Sequence, residues 1–163
     1  MREQITLPEA ARRTGTNHST LRDWISRDII SGATEIISRG KAGGRKGYYP
    51  ATILGEIETV KRMQADGLTL KTITKARALA MELMAEPTAE IDAKVIAETG
   101  PAARQWLSIY AETTGDPRAE EALERIERDI SHLLTLVIRG MKYHMIDIID
   151  RLPDVMENGT EKE

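Results

Sequence analysis

The chain of 163 residues contains no cysteine and no phenylalanine. Without cysteine it has neither a disulfide framework nor a thiolate metal site, so only histidine and carboxylate ligands remain for a metal ion. Without phenylalanine, a hydrophobic core has to be built from isoleucine, leucine, methionine and the two tryptophans. The composition therefore fits an intracellular protein with a largely aliphatic core.

Long apolar runs are missing too. The N-terminus has no apolar signal-peptide core, because polar residues interrupt it at once. No apolar run approaches the roughly twenty residues that a membrane-spanning helix needs. We therefore expect a soluble, cytoplasmic protein with no membrane partner.

Recognisable catalytic and metal-binding patterns are also absent. No Ser/His/Asp arrangement or carboxylate pair stands out, and the glycine-rich run GKAGGRKG lacks the order of a phosphate-binding P-loop. His18, His132 and His144 are widely separated in the sequence. His144 and Asp147 lie one helical turn apart, which is more typical of a solvated helix surface than of a metal site. These patterns predict a protein that is not an enzyme and needs no metal or cofactor.

Charge is distributed unevenly along the chain. The formal net charge is −3, but residues 1–80 carry 14 basic residues against 8 acidic ones, a balance of +6. Residues 81–163 carry 9 basic and 18 acidic residues, a balance of −9. A basic first half can bind phosphate groups, which an acidic second half repels. The asymmetry indicates two different functions on one chain.

Residues 5–30, ITLPEAARRTGTNHSTLRDWISRDII, predict two short helices joined by a tight turn. Thr6 is a candidate N-cap, and Pro8 follows where a first helical turn tolerates a missing N–H. Gly15 is placed to end the first helix in a left-handed conformation, and Asn17 to cap the second. The apolar residues of the second helix, which follow helical spacing, are Leu21, Trp24 and Ile25. This is the pattern of a helix-turn-helix, whose second helix usually lies in the DNA major groove.

The next residues predict a β-hairpin and two more helices. Residues 33–38 favour a short strand, and the basic, glycine-rich run RGKAGGRKG follows at 39–47. Such a hairpin beside a helix-turn-helix is typical of a wing that reaches DNA phosphates or the minor groove. Pro50 is expected to open a third helix, and Thr69 to cap a fourth.

These segments together resemble the winged helix-turn-helix DNA-binding domain of the MerR family of bacterial transcription regulators. The matching segments are ITLPEAARRTG for the first helix, NHSTLRDW for the recognition helix, GRKGYYPATI for the wing exit and MQADGLTLKTI for the junction between the third and fourth helices. The resemblance stops near Met84. The sequence departs from the family at Asp23, where an aromatic residue usually follows the arginine of the recognition helix, and its hairpin is a few residues longer.

The second helix holds the strongest candidates for DNA contact. Thr20 and Arg22 are polar and lie off its apolar face. An arginine in this position can bind guanine bidentately. Of the two wing tyrosines, one is expected to pack under the wing and the other to reach a phosphate. The full set of candidate DNA contacts is His18, Ser19, Thr20, Arg22, Arg12, Arg13, Arg39, Lys41, Arg45, Lys46 and Tyr49.

The second half of the chain predicts a helical region with one long helix. A short helix is expected to end at Gly100, and Pro101 to begin another. Asp116 caps the longest helix, which Pro153 ends. Apolar residues recur along it in steps of three and four, as in a coiled coil or bundle. The predicted dimerisation residues are Leu123, Ile126, Ile130, Leu133, Val137, Met141, Met145 and Ile148.

The sequence thus predicts a mainly α protein with three parts. Residues 1–85 form a winged helix-turn-helix with a small β-hairpin wing, residues 86–155 a helical oligomerisation or effector region, and residues 156–163 a disordered tail. The expected function is that of a bacterial or phage transcription regulator that binds double-stranded DNA sequence-specifically as a homodimer or higher homo-oligomer. RNA polymerase and an unidentified effector are further candidate partners. The alternative is a DNA-assembly protein of a phage or mobile element, such as a terminase small subunit or an excisionase-like factor.

Overall fold

The computed structural model describes residues 3–38 and 45–158. The predicted wing contacts Arg39 and Lys41, and residues 159–163 of the predicted tail, lie outside these ranges. Six helices and three strands follow one another within the described ranges: β1 (Gln4–Thr6), α1 (Leu7–Thr14), α2 (His18–Ser26), β2 (Glu35–Ser38), β3 (Arg45–Pro50), α3 (Ile53–Ala65), α4 (Leu70–Ala85), α5 (Ala93–Thr114) and α6 (Pro117–Asn158). The predicted class, a mainly α fold with a winged helix-turn-helix and a helical second half, is confirmed.

The helix-turn-helix forms as its local signals predict. Gly15 ends α1 with a φ of 64°, in the left-handed region that glycine adopts at little cost. Asn17 caps α2, its side-chain oxygen accepting a hydrogen bond of 2.9 Å from the backbone N–H of Ser19. Thr6 forms no such side-chain bond. Thr6 does occupy the predicted N-cap position of α1, and it is also the last residue of β1, a strand that the sequence analysis did not predict.

The wing is part of a three-stranded antiparallel sheet in the order β1-β3-β2. Ile5 of β1 pairs with Tyr49 of β3, and its side chain is buried in the core. The predicted role of Pro50 as the first residue of the third helix is wrong, because Pro50 pairs with Gln4 and ends β3. The strand pairing overrides the local preference, and α3 begins three residues later.

A single helix, α5, replaces the two that were expected around Gly100 and Pro101. Gly100 is buried, and a Cβ added to it would lie 3.3 Å from Cγ1 of Ile130 on α6. The glycine therefore allows a close approach of two helices and does not end one. Pro101 removes one intrahelical hydrogen bond, but α5 packs against α3, α4 and α6, and this packing keeps it continuous.

Helix α6 begins at the predicted residue and extends beyond its predicted end. Asp116 accepts a hydrogen bond of 3.0 Å from the backbone N–H of Arg118, and the Arg118 side chain binds the same carboxylate. That side-chain hydrogen bond is the main cause that lowers the pKa of Asp116 below its ordinary 3.8. The helix continues through Pro153 to Asn158, so the predicted stop at Pro153 is wrong. A proline costs a helix interior about 3 kcal/mol, which weakens a helix without always ending it.

One hydrophobic core extends from β1 to the first part of α6. Among the predicted dimerisation residues, Ile126 is fully buried in this core, and Leu123, Ile130 and Leu133 pack against it. The prediction needs correction for Ile126, because the chain's own core buries its side chain completely, whereas Leu123, Ile130 and Leu133 are only partly buried and a dimer contact stays a prediction for them. From Leu134 to Asp150 the helix is exposed. The exposed large apolar residues there are Leu134, Leu136, Val137, Ile138, Met141, Tyr143, Met145, Ile146, Ile148 and Ile149.

Candidate nucleic-acid interface

An open groove of about 450 Å³ separates the recognition helix α2 from the wing. We refer to it as the α2–wing groove. Its polar and aromatic lining residues are His18, Arg22 and Ser26 on α2, Arg45, Lys46 and Tyr49 on β3, and Thr6 at the end of β1. No carboxylate lines the groove within the described residues. The groove is therefore cationic, and it brings together residues of the second helix and of the hairpin that the sequence analysis singled out separately.

The folding of α2 places Arg22 on its solvent side. Leu21 and Trp24 lie on one face of α2 and are buried in the core, so Arg22 and Asp23, which lie between them in the sequence, point to the opposite side and are exposed. Arg22 is exposed and forms no ion pair with any residue that the structure describes. Its guanidinium has its five N–H donors available for an acceptor outside the chain.

Asp23, where the sequence departs from the family pattern, forms an ion pair with Arg27, the residue that follows α2. A carboxylate oxygen of Asp23 lies 3.2 Å from a guanidinium nitrogen of Arg27, one turn further along. Both side chains are about half exposed. The Arg27 charge therefore offsets the Asp23 charge, whereas Arg22 has no ion-pair partner among the described residues.

The polar residues in the first turn of α2 differ in their surroundings. The Ser19 hydroxyl donates a hydrogen bond of 2.8 Å to the Asn17 side chain, so it helps to hold the cap. His18 lines the α2–wing groove, and Thr20 is half-buried. Of the three predicted contacts in this turn, His18 is the one that the fold brings next to the wing.

Arg12 and Arg13 lie at the other end of α1 from the α2–wing groove. The groove receives Leu7 and Pro8 from the start of α1. Arg13 forms an ion pair with Glu9, whereas Arg12 is exposed. These two arginines are not brought into the groove, and contact with a backbone phosphate beyond it remains a prediction for them.

The two wing tyrosines lie on opposite faces of β3. Tyr49 pairs with buried Ile5, lines the groove and packs against the core. Tyr48 lies on the outer face, where Nζ of Lys46 is 5.3 Å from the centre of its ring. A Cβ on Gly47 would lie 3.3 Å from the Tyr49 ring and hydroxyl oxygen, so this glycine leaves room for the tyrosine.

A buried ionic network holds the turn that follows α2. Glu56 of α3 is buried, and its carboxylate accepts hydrogen bonds from the backbone N–H of Ser31 at 2.8 Å and from Nε of Arg77 at 3.0 Å. Arg77 also donates to the backbone oxygen of Asp28, whose φ of 53° is unusual for a residue other than glycine. The network fixes the path of the chain between the recognition helix and the wing.

Sequence reasoning missed this network and the position of Ser26. The available signal for the network was Glu56 itself, a carboxylate flanked by the apolar residues Ile53 and Ile57 of one helix. The signal for Ser26 was its spacing of four from Arg22, which places both on one helical face.

The described residues contain neither a membrane-spanning helix nor a metal-binding cluster. No helix in the described ranges is long and apolar enough to cross a membrane. In those ranges, no three or more histidine, aspartate or glutamate side chains are grouped so that they could hold a metal ion.

The first half of the chain matches a known protein family. Residues 5–79 match a family model described as MerR HTH family regulatory protein. Comparisons with curated proteins and with solved structures gave no match. The matched range ends within α4 and includes the whole α2–wing groove.

Proposed function

Residues 5–79 are a MerR-like helix-turn-helix domain, and from this premise we propose that the protein is a sequence-specific regulator of transcription that binds double-stranded DNA as a homodimer. The family match supports a DNA-binding transcription regulator in general terms. The observation that carries the specific proposal is the α2–wing groove, which combines cations from two elements, none of them in an ion pair with a described residue, and has no carboxylate among its described lining residues.

The groove suits one sugar–phosphate strand of a duplex. A recognition helix of a helix-turn-helix lies in the major groove, and a single backbone strand separates the major groove from the adjacent minor groove. An element on the far side of that strand therefore reaches the minor groove. With α2 in the major groove, Arg22 is positioned for a guanine edge, and Arg45 and Lys46 for phosphates. His18 completes the α2 side of the groove.

The exposed half of α6 supports the homodimer. Ten large apolar side chains between Leu134 and Ile149 are exposed, and burying one of them fully is worth about 1.5–3 kcal/mol. Val137, Met141, Met145 and Ile148 keep their predicted role in a dimer contact, because each is about half exposed or more. A second copy of the helix supplies a matching apolar stripe.

Charge favours an antiparallel arrangement of the two α6 helices. Arg139 and Lys142 precede the centre of the exposed segment, and Asp147 and Asp150 follow it. An antiparallel pair centred between His144 and Met145 sets Arg139 opposite Asp150 and Lys142 opposite Asp147. A parallel pair in register sets each charge beside its own copy, which is repulsive.

Selection from a random library of DNA duplexes tests the proposed function. We expect enriched sequences with two half-sites related by two-fold symmetry, because a symmetric dimer presents two copies of α2. A promoter location and altered transcription in cells support a regulator. A packaging or recombination site, or a ring-shaped oligomer, supports the DNA-assembly alternative. No enrichment over the starting library contradicts both.

A further inference from the structure

The outermost face of the recognition helix α2 carries a carboxylate that does not line the α2–wing groove. Asp23 follows Ser19 by four residues and precedes Ser26 by three, so the three side chains share one helical face. All three are exposed, and the buried Leu21 and Trp24 lie on the opposite face. A recognition helix that lies in the major groove turns this outward face toward the base edges.

Asp23 is the side chain on this face that extends furthest from the helix. The Ser19 hydroxyl donates a hydrogen bond of 2.8 Å to the Asn17 side chain. The Ser26 hydroxyl donates one of 2.8 Å to the backbone oxygen of Asp23. Both serine oxygens are therefore held close to the helix, and their protons are already in use. The Asp23 carboxylate extends one bond further and offers acceptor sites to a donor outside the chain.

The ion pair with Arg27 leaves one carboxylate oxygen of Asp23 open. Oδ2 lies 3.2 Å from a guanidinium nitrogen of Arg27, whereas Oδ1 has no partner among the described residues. Arg22 precedes Asp23 in the chain and Arg27 follows it by one turn, so two cations flank the carboxylate. Their charges reduce the repulsion between the carboxylate and DNA phosphates, which allows an acidic residue to face a duplex.

We propose that Asp23 is a specificity-determining residue that recognises cytosine in the major groove. The inference rests on the proposed function, because it requires α2 to lie in that groove. A carboxylate only accepts hydrogen bonds, and cytosine presents an amine donor, N4, at its major-groove edge. Guanine presents two acceptors there, and thymine an acceptor and a methyl group. Adenine presents its amine beside the acceptor N7, which repels a carboxylate, so cytosine is the base that suits Asp23 best.

Replacing the carboxylate with an amide tests the proposal. Asp23→Asn keeps the size of the side chain and gives it both a donor and an acceptor, the combination that matches adenine. Selection from a random library of duplexes, with the full-length wild type and each variant, reports the base preference at every position. We expect the wild type to prefer cytosine about tenfold at one position of each half-site. Asp23→Asn should prefer adenine at that position, and Asp23→Ala should prefer no base there.

Glu35→Gln is the matched control for the loss of charge. Glu35 is exposed and lies on strand β2 of the wing, so this change also removes one negative charge but leaves α2 intact. Both Asp23→Asn and Glu35→Gln should raise the affinity for unrelated duplexes slightly, because each removes a charge that repels phosphate. Only Asp23→Asn should change the selected sequence. Thermal unfolding of each variant shows that the fold is retained.

The outcomes separate this inference from the proposed function. If Asp23→Asn selects the same sequence as the wild type, Asp23 does not contact a base and the inference fails. An equal change of sequence in Glu35→Gln also overturns it, because the effect is then one of charge alone. If the wild type enriches no sequence over the starting library, the proposed function itself fails.

Discussion

The guanidinium Nε of Arg77 lies 3.0 Å from a carboxylate oxygen of Glu56 and so links α4 to α3 directly beneath the turn that leaves the recognition helix. Both side chains are largely buried, with exposed fractions of 15% and 2%. Ser31 donates to the same carboxylate through its backbone N–H and its hydroxyl. The orientation of α2 relative to the wing therefore depends on an ion pair in the interior of the domain.

Replacing Arg77 with alanine should destabilise the fold strongly. The change leaves the Glu56 carboxylate buried without its cation, a loss of about 3–5 kcal/mol in the free energy of unfolding. Urea denaturation followed by circular dichroism measures it. The matched control is Arg62→Ala, because Arg62 pairs with Glu58 and Glu112 at the surface, where such pairs are worth at most about 1 kcal/mol. Equal losses for the two variants would contradict the structural role of the buried pair.

Replacing Arg22 with alanine should weaken specific DNA binding and leave stability unchanged. Loss of a bidentate contact to guanine costs about 1–3 kcal/mol of discrimination, and the side chain is exposed with no partner in the described chain. Affinities for the selected duplex and for an unrelated duplex give the discrimination directly. Arg104→Ala is the control, because Arg104 is an exposed arginine on α5 that pairs with Glu127. Unchanged discrimination in Arg22→Ala would exclude this residue from base readout.

Neutralising Arg45 and Lys46 together should weaken binding to all duplexes. If each cation contacts one phosphate, the slope of log affinity against log salt becomes shallower by about two units. Titrations at several salt concentrations, with a selected and an unrelated duplex, measure the slope. Variants with only one of the two residues neutralised show how much of the change in slope each cation contributes. Arg45 faces the groove, while Lys46 lies over Tyr48, so a larger share is expected for Arg45. A slope equal to that of the wild type would show that the wing does not touch phosphate.

Placing a glutamate at Met141 should separate the proposed dimer without unfolding the protomer. Met141 is 62% exposed, so a charge there meets water in the isolated chain and an apolar partner in the dimer. Sedimentation equilibrium at micromolar concentration should change from dimer to monomer, with unchanged thermal unfolding of the core. Leu133→Glu is a poor substitute, because Leu133 packs against its own core. A monomeric wild type would refute the role assigned to this half of α6.

Acid should remove a small stabilising contribution from the start of α6. The pKa of Asp116 is lowered by the hydrogen bond from the Arg118 side chain, so its carboxylate stabilises the fold above the unfolded pKa of 3.8 and loses that effect as the pH falls through its lower folded value. Arg118 is 65% exposed, which limits the effect to less than about 1 kcal/mol. In the variant Asp116→Asn the side chain can still cap the helix, but it does not ionise in the acid range. The stability difference between wild type and variant should shrink between about pH 5 and pH 2, and a constant difference would contradict the assignment.

Local signals in the sequence were sufficient for the helix-turn-helix and insufficient where tertiary contacts decide the outcome. Gly15 and Asn17 act through their own backbone and nearest neighbours, so their roles were predictable. Pro50 and Gly100 were misread, since pairing with β1 and a close approach to α6 depend on residues far along the chain. Apolar residues recur with the same spacing along the buried and the exposed parts of α6. The spacing therefore could not predict at which residue the helix leaves the core of its own chain.

The same distinction between local signals and distant contacts applies to the candidate residues of the α2–wing groove. The exposure of Arg22 was predictable because α2 has a clear apolar face opposite to it. The opposite faces of Tyr48 and Tyr49 follow from alternation along a strand, but which face borders α2 depends on the pairing of Ile5 with Tyr49. Glu56 and Arg77 lie 21 residues apart, and no local pattern connects them.

The unbroken course of α6 from the core to Asn158 makes the spacing of the two copies in the proposed dimer a matter of residue count. One residue inserted between Val137 and Met141 would rotate everything beyond it by about 100° and advance it by about 1.5 Å. Seven inserted residues restore nearly the same rotational phase and lengthen the rod by about 10 Å. A series of such insertions should therefore alternate between loss and recovery of pairing, and each recovery should favour target half-sites set further apart.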